Sequence, residues 1–285
     1  MRVVITRPAG DAHAWVEALQ GAGHATLALA LIDVGPATQT QPLAQAWVQW
    51  PNYQAVMFVS AQAVRYFFER QPDNLSWTHG PRCWATGPGT HKALLQAGVP
   101  EACIDSPAAD AAQFDSEALW QRVSAQVQPG KPVLIVRGHD LNGVNGVNDV
   151  NDVNDEVAKL SDASSIAASN KAQVGTGRDW LAQQLQAAGA SVEFVVAYER
   201  RVPVWSAEQH AQAAQAATDN SVWCFSSSQA IQNLAHHLPT QSWAQARCVA
   251  THPRIAQAAH AVGFGEVHLS KPSLADVLVS LESLA

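Results

Sequence analysis

The stretch GTGRDWLAQQLQAAGASVEFVVAYERRVP, residues 175–203, runs through a helix, a turn and a strand in close succession. Asp179 suits a helix start, and Gly189 can adopt the left-handed conformation that ends a helix. The apolar run 192–196 then predicts a strand, with Tyr198 at its carboxyl end and two arginines behind it. Because ligands of open α/β sheets bind beyond such strand ends, Tyr198 is a candidate proton donor. The alternative interpretation is an amphipathic tyrosine that packs at a domain boundary.

The same succession of helix and strand recurs along the chain. Short apolar segments that predict strands lie at residues 3–6, 26–32, 55–59, 83–86, 132–137, 222–225, 247–250 and 267–269. Their alternation with helix-like segments indicates parallel α/β layers. Gly138 is predicted to close its strand. Residues 33–41 and 198–203 contain turn-forming residues and are predicted to be linkers.

Two motifs occur twice, 167 and 165 residues apart. Residues 58–64, FVSAQAV, match residues 225–231, FSSSQAI, and CWAT at 83–86 matches CVAT at 248–251. This repeat predicts two similar α/β domains, either as tandem halves or in a crossed arrangement.

Each domain would present three polar strand ends, formed by an arginine, a Ser-x-Gln-Ala segment and a Thr-x-Pro segment. The serines and threonines suit helix N-caps. The functional alternative is that the ends face a cleft, where hydroxyls and backbone N–H groups would bind carboxylates.

The composition excludes several classes of protein. The formal net charge of −7 argues against nonspecific nucleic-acid binding, although it leaves room for an anionic small molecule. No apolar run reaches the length that crosses a bilayer, and the amino-terminal MRVVITRP predicts a strand rather than a signal peptide, so a cytoplasmic location is expected. The four cysteines lack CxxC spacing and the eleven histidines are scattered. We therefore expect reduced cysteines and no metal site.

Residues 139–174 interrupt the α/β pattern. Asparagine recurs at every third position from Asn142 to Asn154, followed by a stretch rich in serine and alanine. The calcium-loop pattern is absent. These residues are predicted to be a low-complexity insertion without chemistry of its own.

Taken in order, these motifs resemble those of the uroporphyrinogen-III synthase family. The segments that carry the resemblance are Thr6-Arg-Pro8, Phe58-Val-Ser-Ala-Gln-Ala-Val64, Thr86-Gly-Pro-Gly-Thr90, Val133-Leu-Ile-Val-Arg-Gly138, Gly177-Arg-Asp-Trp-Leu181, Val196-Ala-Tyr-Glu-Arg200, Phe225-Ser-Ser-Ser228 and Gly263-Phe-Gly-Glu-Val267. Two features depart from the family pattern. The insertion separates Gly138 from Gly177, and His252 stands in a turn where many members carry glycine.

The resemblance implies a fold of two similar parallel-sheet α/β domains, HemD-like, joined by a two-stranded connection with a cleft between them. It also decides for the crossed arrangement, with residues 1–35 and 201–285 in the first domain and residues 36–200 in the second.

The activity implied is cyclisation of hydroxymethylbilane to uroporphyrinogen III, with loss of water and inversion of ring D. No cofactor and no metal are expected. Tyr198 matches the family tyrosine proposed to protonate the leaving hydroxyl, and a free phenol keeps its proton at neutral pH, which suits an acid.

The matched motifs and strand ends together give the candidate substrate-binding residues Arg7, Ser60, Ala61, Thr86, Gly87, Thr90, Arg137, Gly138, Arg178, Ser227, Ser228, Thr251 and Arg254. The expected partner is the small-molecule substrate, with no nucleic acid and no membrane. A monomer in transient contact with neighbouring pathway enzymes is expected. The alternative class is a two-domain anion-binding or sensor protein without catalysis, which would bind the bilane and leave it unconverted.

Overall fold

The computed structural model describes residues 1–73, 77, 80–107, 116–141 and 180–284. Within these ranges the chain forms two compact units. The terminal unit consists of residues 1–34 and 201–284, and the central unit consists of the described residues between 35 and 200.

Strands and helices alternate through both units. The strands are β1 (Arg2–Ile5), β2 (Ala25–Ala28), β3 (Asp33–Pro36), β4 (Ala55–Phe58), β5 (Arg82–Ala85), β6 (Ile104–Asp105), β7 (Pro132–Asp140), β8 (Ser191–Arg201), β9 (Val222–Phe225), β10 (Arg247–Ala250) and β11 (Glu266–Leu269). The helices are α1 (Ala9–Gly21), α2 (Gln41–Val48), α3 (Ala61–Phe68), α4 (Pro88–Gln96), α5 (Ser116–Val123), α6 (Trp180–Ala187), α7 (Ala207–Ala216), α8 (Ser228–His237), α9 (Pro253–Val262) and α10 (Leu274–Glu282).

The two sheets share one strand order. In the terminal unit the order is β11-β10-β9-β1-β2, and in the central unit it is β6-β5-β4-β7-β8, with β3 added beside β8. Every pair from β11 to β2 across the terminal sheet, and from β6 to β8 across the central one, is parallel. The predicted fold class, two similar parallel-sheet α/β units, is confirmed.

Apolar side chains cover both faces of the terminal sheet. Along β1, Val4 belongs to one buried cluster, whereas Val3 and Ile5 belong to the cluster on the other face. Successive residues of a strand point to opposite faces, so a strand buried on both faces must be apolar throughout. This requirement explains why the strands of this chain appear in the sequence as unbroken apolar runs.

Glycines end two equivalent helices. Gly23 follows α1 with a φ of +83°, and Gly189 follows α6 with a φ of +85°. A side chain would be strained in this left-handed conformation, which glycine adopts freely. The predicted helix end at Gly189 is confirmed.

The strands differ from the sequence predictions at three places. Residues 33–36, within a predicted linker, form β3, and the boundary between the two units falls inside this strand. Strand β7 does not close at Gly138 but continues to Asp140, and β8 continues through Tyr198 to Arg201, because the two strands stay paired up to Asp140 and Arg200. The insertion predicted at 139–174 therefore begins later than expected, and its residues 142–174 lie outside the described part of the chain.

The described residues contain no helix that is long and apolar enough to cross a membrane.

Candidate active site

Tyr198 lies in the paired extension of β7 and β8, directly opposite Gly138. A Cβ atom added to Gly138 would lie 2.4 Å from Cζ and 2.8 Å from Oη of Tyr198. The phenol ring therefore occupies the space that any other residue at 138 would fill. In this position Tyr198 is only 2% exposed. Glycine at this position is a requirement of the close approach of the ring to the neighbouring backbone.

The hydroxyl of Tyr198 meets two polar side chains. Its Oη lies 3.2 Å from Oγ of Ser60, and Nη2 of Arg200 donates to it at 3.5 Å. The ring of Tyr66 stacks against that of Tyr198 at 6.0 Å between centroids. Three elements thus converge on one phenol, namely the amino terminus of α3, the β7 extension and β8 itself.

Ser60 is the N-cap of α3. Its backbone is extended, with φ −163° and ψ 164°, and its Oγ accepts the N–H of Ala63 at 3.2 Å. The capping role predicted for this residue is therefore observed. Ala61 follows as the first, exposed residue of the helix.

Thr86 joins the ends of β4 and β5. Its Oγ1 donates to the carbonyl of Val59 at 3.2 Å. Gly87 follows as the N-cap of α4, and Thr90 in the first turn of that helix is 5% exposed. Because β4 and β5 are paired, these residues after β5 lie next to the end of β4, which Ser60 follows.

Arg137 is held inside the central unit. It is 1% exposed, and its guanidinium lies 4.2 Å from the ring centroid of Phe194. A buried guanidinium is stable only when neighbouring groups compensate its charge. Arg137 thus lies within β7 and against Phe194, and not at a strand end open to a ligand as its sequence position predicts.

The terminal unit presents its own set of predicted residues. Arg7 follows β1, and its guanidinium lies 4.1 Å from the ring centroid of Trp15 on α1. Burial lowers the pKa of Arg7 from its ordinary value, opposed by the nearby carboxylate of Asp11. An arginine has so high an ordinary pKa that it stays charged.

The remaining predicted residues of this unit stand at two helix starts. Ser227 caps α8 by accepting the N–H of Gln229 at 3.2 Å, and Ser228 is the first residue of that helix. Thr251 is 8% exposed. His252 caps α9 by accepting the N–H of Arg254 on Nδ1 at 3.2 Å.

The structure thus brings Tyr198, Ser60 and Gly138 into mutual proximity, with Thr86 bonded to the neighbouring strand end. Arg178 lies outside the described residues. The sequence shows Arg200 only as a basic neighbour of Tyr198. The two-residue period of a strand is the signal that could have placed both on the same face. Tyr66 was missed entirely, because no local signal indicates which face of α3 meets β8.

Other chemistry is not supported by the described side chains. All four cysteines are free, and burial raises the pKa of Cys224 and of Cys248 to about 12, which keeps both thiols protonated. Within the described ranges, no cluster of three or more His, Cys, Asp or Glu residues could hold a metal ion. The side chains around Tyr198 offer hydrogen-bond donors and two stacked phenol rings, which suits proton transfer and anion binding.

Comparison with known proteins agrees with this chemistry. The family model described as "Uroporphyrinogen-III synthase HemD" matches residues 13–144 and 159–279. No curated protein sequence matches the chain significantly.

Two solved structures are similar to the chain along its whole length. The Helicobacter pylori 26695 uroporphyrinogen-III synthetase covers 100% of each chain at 14% identity and a TM-score of 0.54. A mutant uroporphyrinogen III synthase from Thermus thermophilus covers 99% of this chain and 98% of that chain, at 13% identity and a TM-score of 0.51. At these identities the structures support the fold alone, and none of the comparisons favours a sensor or a simple anion-binding protein. Since the family model spans both units, the chain belongs to the uroporphyrinogen-III synthase family.

Proposed function

We propose that this chain closes hydroxymethylbilane to uroporphyrinogen III with loss of water and inversion of ring D, as a cyclising lyase without a cofactor. The observation that carries the proposal is the family match, which extends over both units. The products and substrate follow from the family to which the chain belongs.

In this reaction the protein's main task is to orient the substrate. Loss of the terminal hydroxyl leaves an azafulvene cation that the pyrroles themselves stabilise. Attack of a substituted pyrrole carbon gives a spiro intermediate, which fragments and recloses with ring D inverted. Because the conjugated system carries the positive charge, holding the correct carbon near the cation accounts for much of the catalysis.

We propose further that Tyr198 is the acid of the first step. Its Oη–H would give a proton to the leaving hydroxyl while the C–O bond breaks, so that water departs. The phenolate would regain a proton from the pyrrole carbon that loses one on ring closure. The contacts of Tyr198 support this role, because Arg200 donates to its oxygen and the hydroxyl of Ser60 lies within hydrogen-bonding distance of it.

The ring of Tyr198 is more buried than the sequence suggested, where a side chain open to a cleft was expected. A substrate hydroxyl would reach Oη past the half-buried side chains of Ser60 and Arg200. The exclusion of bulk water from such a position strengthens a hydrogen bond to the leaving group.

The division into residues 1–35 with 201–285 and residues 36–200 as functional domains, with strand ends of both binding the substrate, remains a prediction. So do the monomeric state, transient contact with neighbouring pathway enzymes and the cytoplasmic location.

The test is an assay with freshly prepared hydroxymethylbilane and a chelator, followed by separation of the product isomers. The bilane closes to the type I isomer without an enzyme, so we expect type III only when the folded protein is present. Exclusive formation of type I at micromolar protein would reject the proposal. Binding of the bilane without conversion would instead favour the anion-binding alternative.

A further inference from the structure

We propose that Ser60 is a positioning residue that donates its hydroxyl proton to the Tyr198 oxygen and, together with Arg200, holds the phenolate formed when Tyr198 gives up its proton. The inference rests on the proposed acid role of Tyr198 and assigns to Ser60 a part in catalysis beyond helix capping.

The hydrogen-bonding capacity of Ser60 allows it to cap α3 and donate to Tyr198 at the same time. A serine hydroxyl has one proton and two acceptor lone pairs. The N–H of Ala63 occupies one lone pair at 3.2 Å. An oxygen that accepts one hydrogen bond becomes a stronger donor in the next, so the cap strengthens the proton that Ser60 can offer to Tyr198 at 3.2 Å.

Arg200 can act in only one direction. A guanidinium carries five N–H donors and no acceptor, so its 3.5 Å contact with Oη of Tyr198 places a cation beside that oxygen. Its guanidinium carbon lies 5.8 Å from the ring centroid. The negative charge that develops on the oxygen during proton transfer is therefore stabilised from this side.

A second tyrosine of the central unit shows the opposite arrangement. The hydroxyl of Tyr53 donates to Oε2 of Glu193 at 2.8 Å. Burial and this carboxylate together raise the pKa of Tyr53 from its ordinary value. A phenol beside a carboxylate has its proton already engaged, whereas a phenol beside a guanidinium and a hydroxyl that can donate is able to give its proton to a ligand and keep partners for the resulting anion.

Protons and electrons balance in the proposed reaction. The Oη–H bond of Tyr198 breaks as the proton moves to the leaving oxygen, and the electrons of the broken C–O bond leave with water. The phenolate then accepts hydrogen bonds from Ser60 and Arg200. Closure of the ring returns one proton from pyrrole carbon to Tyr198, which restores the starting state.

Two nearly isosteric substitutions separate positioning from capping. Asparagine and aspartate both cap helices, but asparagine retains N–H donors while aspartate has only acceptors at neutral pH. We expect Ser60→Asp to lower kcat about tenfold or more relative to Ser60→Asn, with little change in KM, because removing one donor to a developing anion has effects of this order or larger. In the Tyr198→Phe background the two variants should have equal kcat.

A spectroscopic readout separates this inference from the activity itself. The near-ultraviolet absorbance titration of the folded protein, minus that of Tyr198→Phe, reports the ionisation of this phenol without any substrate. We expect its midpoint to lie at higher pH in Ser60→Asp than in Ser60→Asn. Ser206→Ala, which removes the N-cap of α7 in the terminal unit, is the control for lost capping and should leave both the titration and kcat unchanged.

The outcomes distinguish the proposals. Equal titrations and equal kcat in Ser60→Asp and Ser60→Asn would reduce Ser60 to a cap and overturn the inference, whatever the activity of the wild type. Different titrations in a protein that forms no type III isomer would keep the donor arrangement and reject the proposed reaction. An equal Asp-to-Asn ratio of kcat with and without the Tyr198 hydroxyl would also overturn it, because Ser60 would then act independently of Tyr198.

Discussion

The terminal and central units have the same strand order but differ in how far two of their strands extend. In the terminal unit β1 and β2 have 4 residues each, whereas the equivalent strands β7 and β8 have 9 and 11. The extra length carries Gly138 and Tyr198 as paired residues. The repeated fold thus supplies two similar frames, and the longer strand pair places a buried phenol in only one of them.

The equivalent arginines show a second consequence of the difference. The repeat and the strand registers align Arg7 with Arg137, and Ala28 on β2 with Phe194 on β8. Arg137 lies against Phe194 and is 1% exposed, whereas Arg7 uses Trp15 of α1 and is only partly buried. Phe194 thus offers Arg137 an aromatic face on the neighbouring strand, which alanine at the equivalent position in the terminal unit cannot offer to Arg7.

The largest effect is expected from Gly138→Ala, which breaks the feature that distinguishes the central unit. The new methyl group would overlap the Tyr198 ring, so the ring must move and its hydroxyl must leave Ser60. Overpacking of this kind costs about 1–3 kcal/mol of stability. A misplaced acid costs roughly 10²-fold in kcat. Thermal unfolding and isomer-resolved kinetics measure both.

Gly21→Ala is its matched control. Gly21 lies at the end of α1 with open space around its Cα, so an added methyl group meets nothing. Unchanged kinetics are expected there. If Gly138→Ala also kept full kcat, the position of the Tyr198 ring beside Gly138 would not matter for the reaction.

Tyr198→Phe removes only the hydroxyl oxygen that distinguishes the central unit and keeps the ring. General acid catalysis contributes roughly 10²–10⁴-fold, and we expect a loss of kcat near the lower end because water can assist ionisation of the bilane. The product should remain type III, since inversion follows from orientation of the substrate. The free energy of unfolding should change by about 1 kcal/mol or less. Full activity would leave Tyr198 as a packing residue, and unfolding of the variant would support the same interpretation.

Thr38→Val tests the hydrogen bonds between Glu199 of β8 and Thr38, which follows β3. The backbone N–H of Thr38 donates to Oε1 of Glu199 at 3.0 Å and its Oγ1 donates to Oε2 at 2.6 Å. Glu199 is 6% exposed, so a lost donor to its carboxylate should cost about 1.5 kcal/mol or more in chemical denaturation. Thr26→Val on β2 removes an exposed bond from Gln20 and should cost less. Equal costs in the two units would show that the hydrogen bonds of Thr38 do not stabilise the β8 extension.

The smallest effect belongs to the terminal unit, at His237. Its ring stacks on Trp205 at 4.2 Å, with His210 and His236 nearby. Burial, followed by the charges of these two histidines, lowers the pKa of His237. A lowered pKa means that the folded state binds the proton less readily than the unfolded state. Stability is therefore full above the ordinary histidine value of about 6.5 and declines as the pH falls below it.

Solvent screening at this partly exposed ring limits the decline to less than about 0.5 kcal/mol. His237→Phe retains the stack and removes the titration, so denaturation curves of the variant at several pH values should show a shallower dependence. An identical dependence in wild type and variant would assign it to other groups.

The parts of the fold that follow from local patterns were predictable. Apolar runs indicated the strands, Gly189 the end of α6, and repeated motifs the two similar units. The lengths of β7 and β8 were not predictable, because Gly138 is a strand breaker by propensity and persists in β7 only where Tyr198 fills its side-chain space. Strand β3 and the burial of Arg137 likewise depend on partners distant in the sequence. Strand β6, of 2 residues, is too short for any periodicity to indicate it.

The candidate site divides in the same way. Ser60 and Tyr198 were identified at the ends of predicted strands, and their meeting follows from the parallel sheet order β4-β7-β8. The contact of Tyr66 with Tyr198 requires the facing angle of α3, which a sequence pattern does not encode.

The irregularity in pairing between Arg137 and Gly138 determines which residue of β8 lies opposite Gly138. Arg137 pairs with Val196 but Gly138 pairs with Tyr198, so β8 contributes one residue, Ala197, for which β7 has no counterpart. Side chains of a strand alternate between faces, and a shift by one residue exchanges them all. If pairing continued regularly after Arg137 and Val196, Gly138 would lie opposite Ala197 instead of Tyr198. One extra residue in β8 thus decides that the phenol of Tyr198, and not the methyl group of Ala197, lies opposite Gly138.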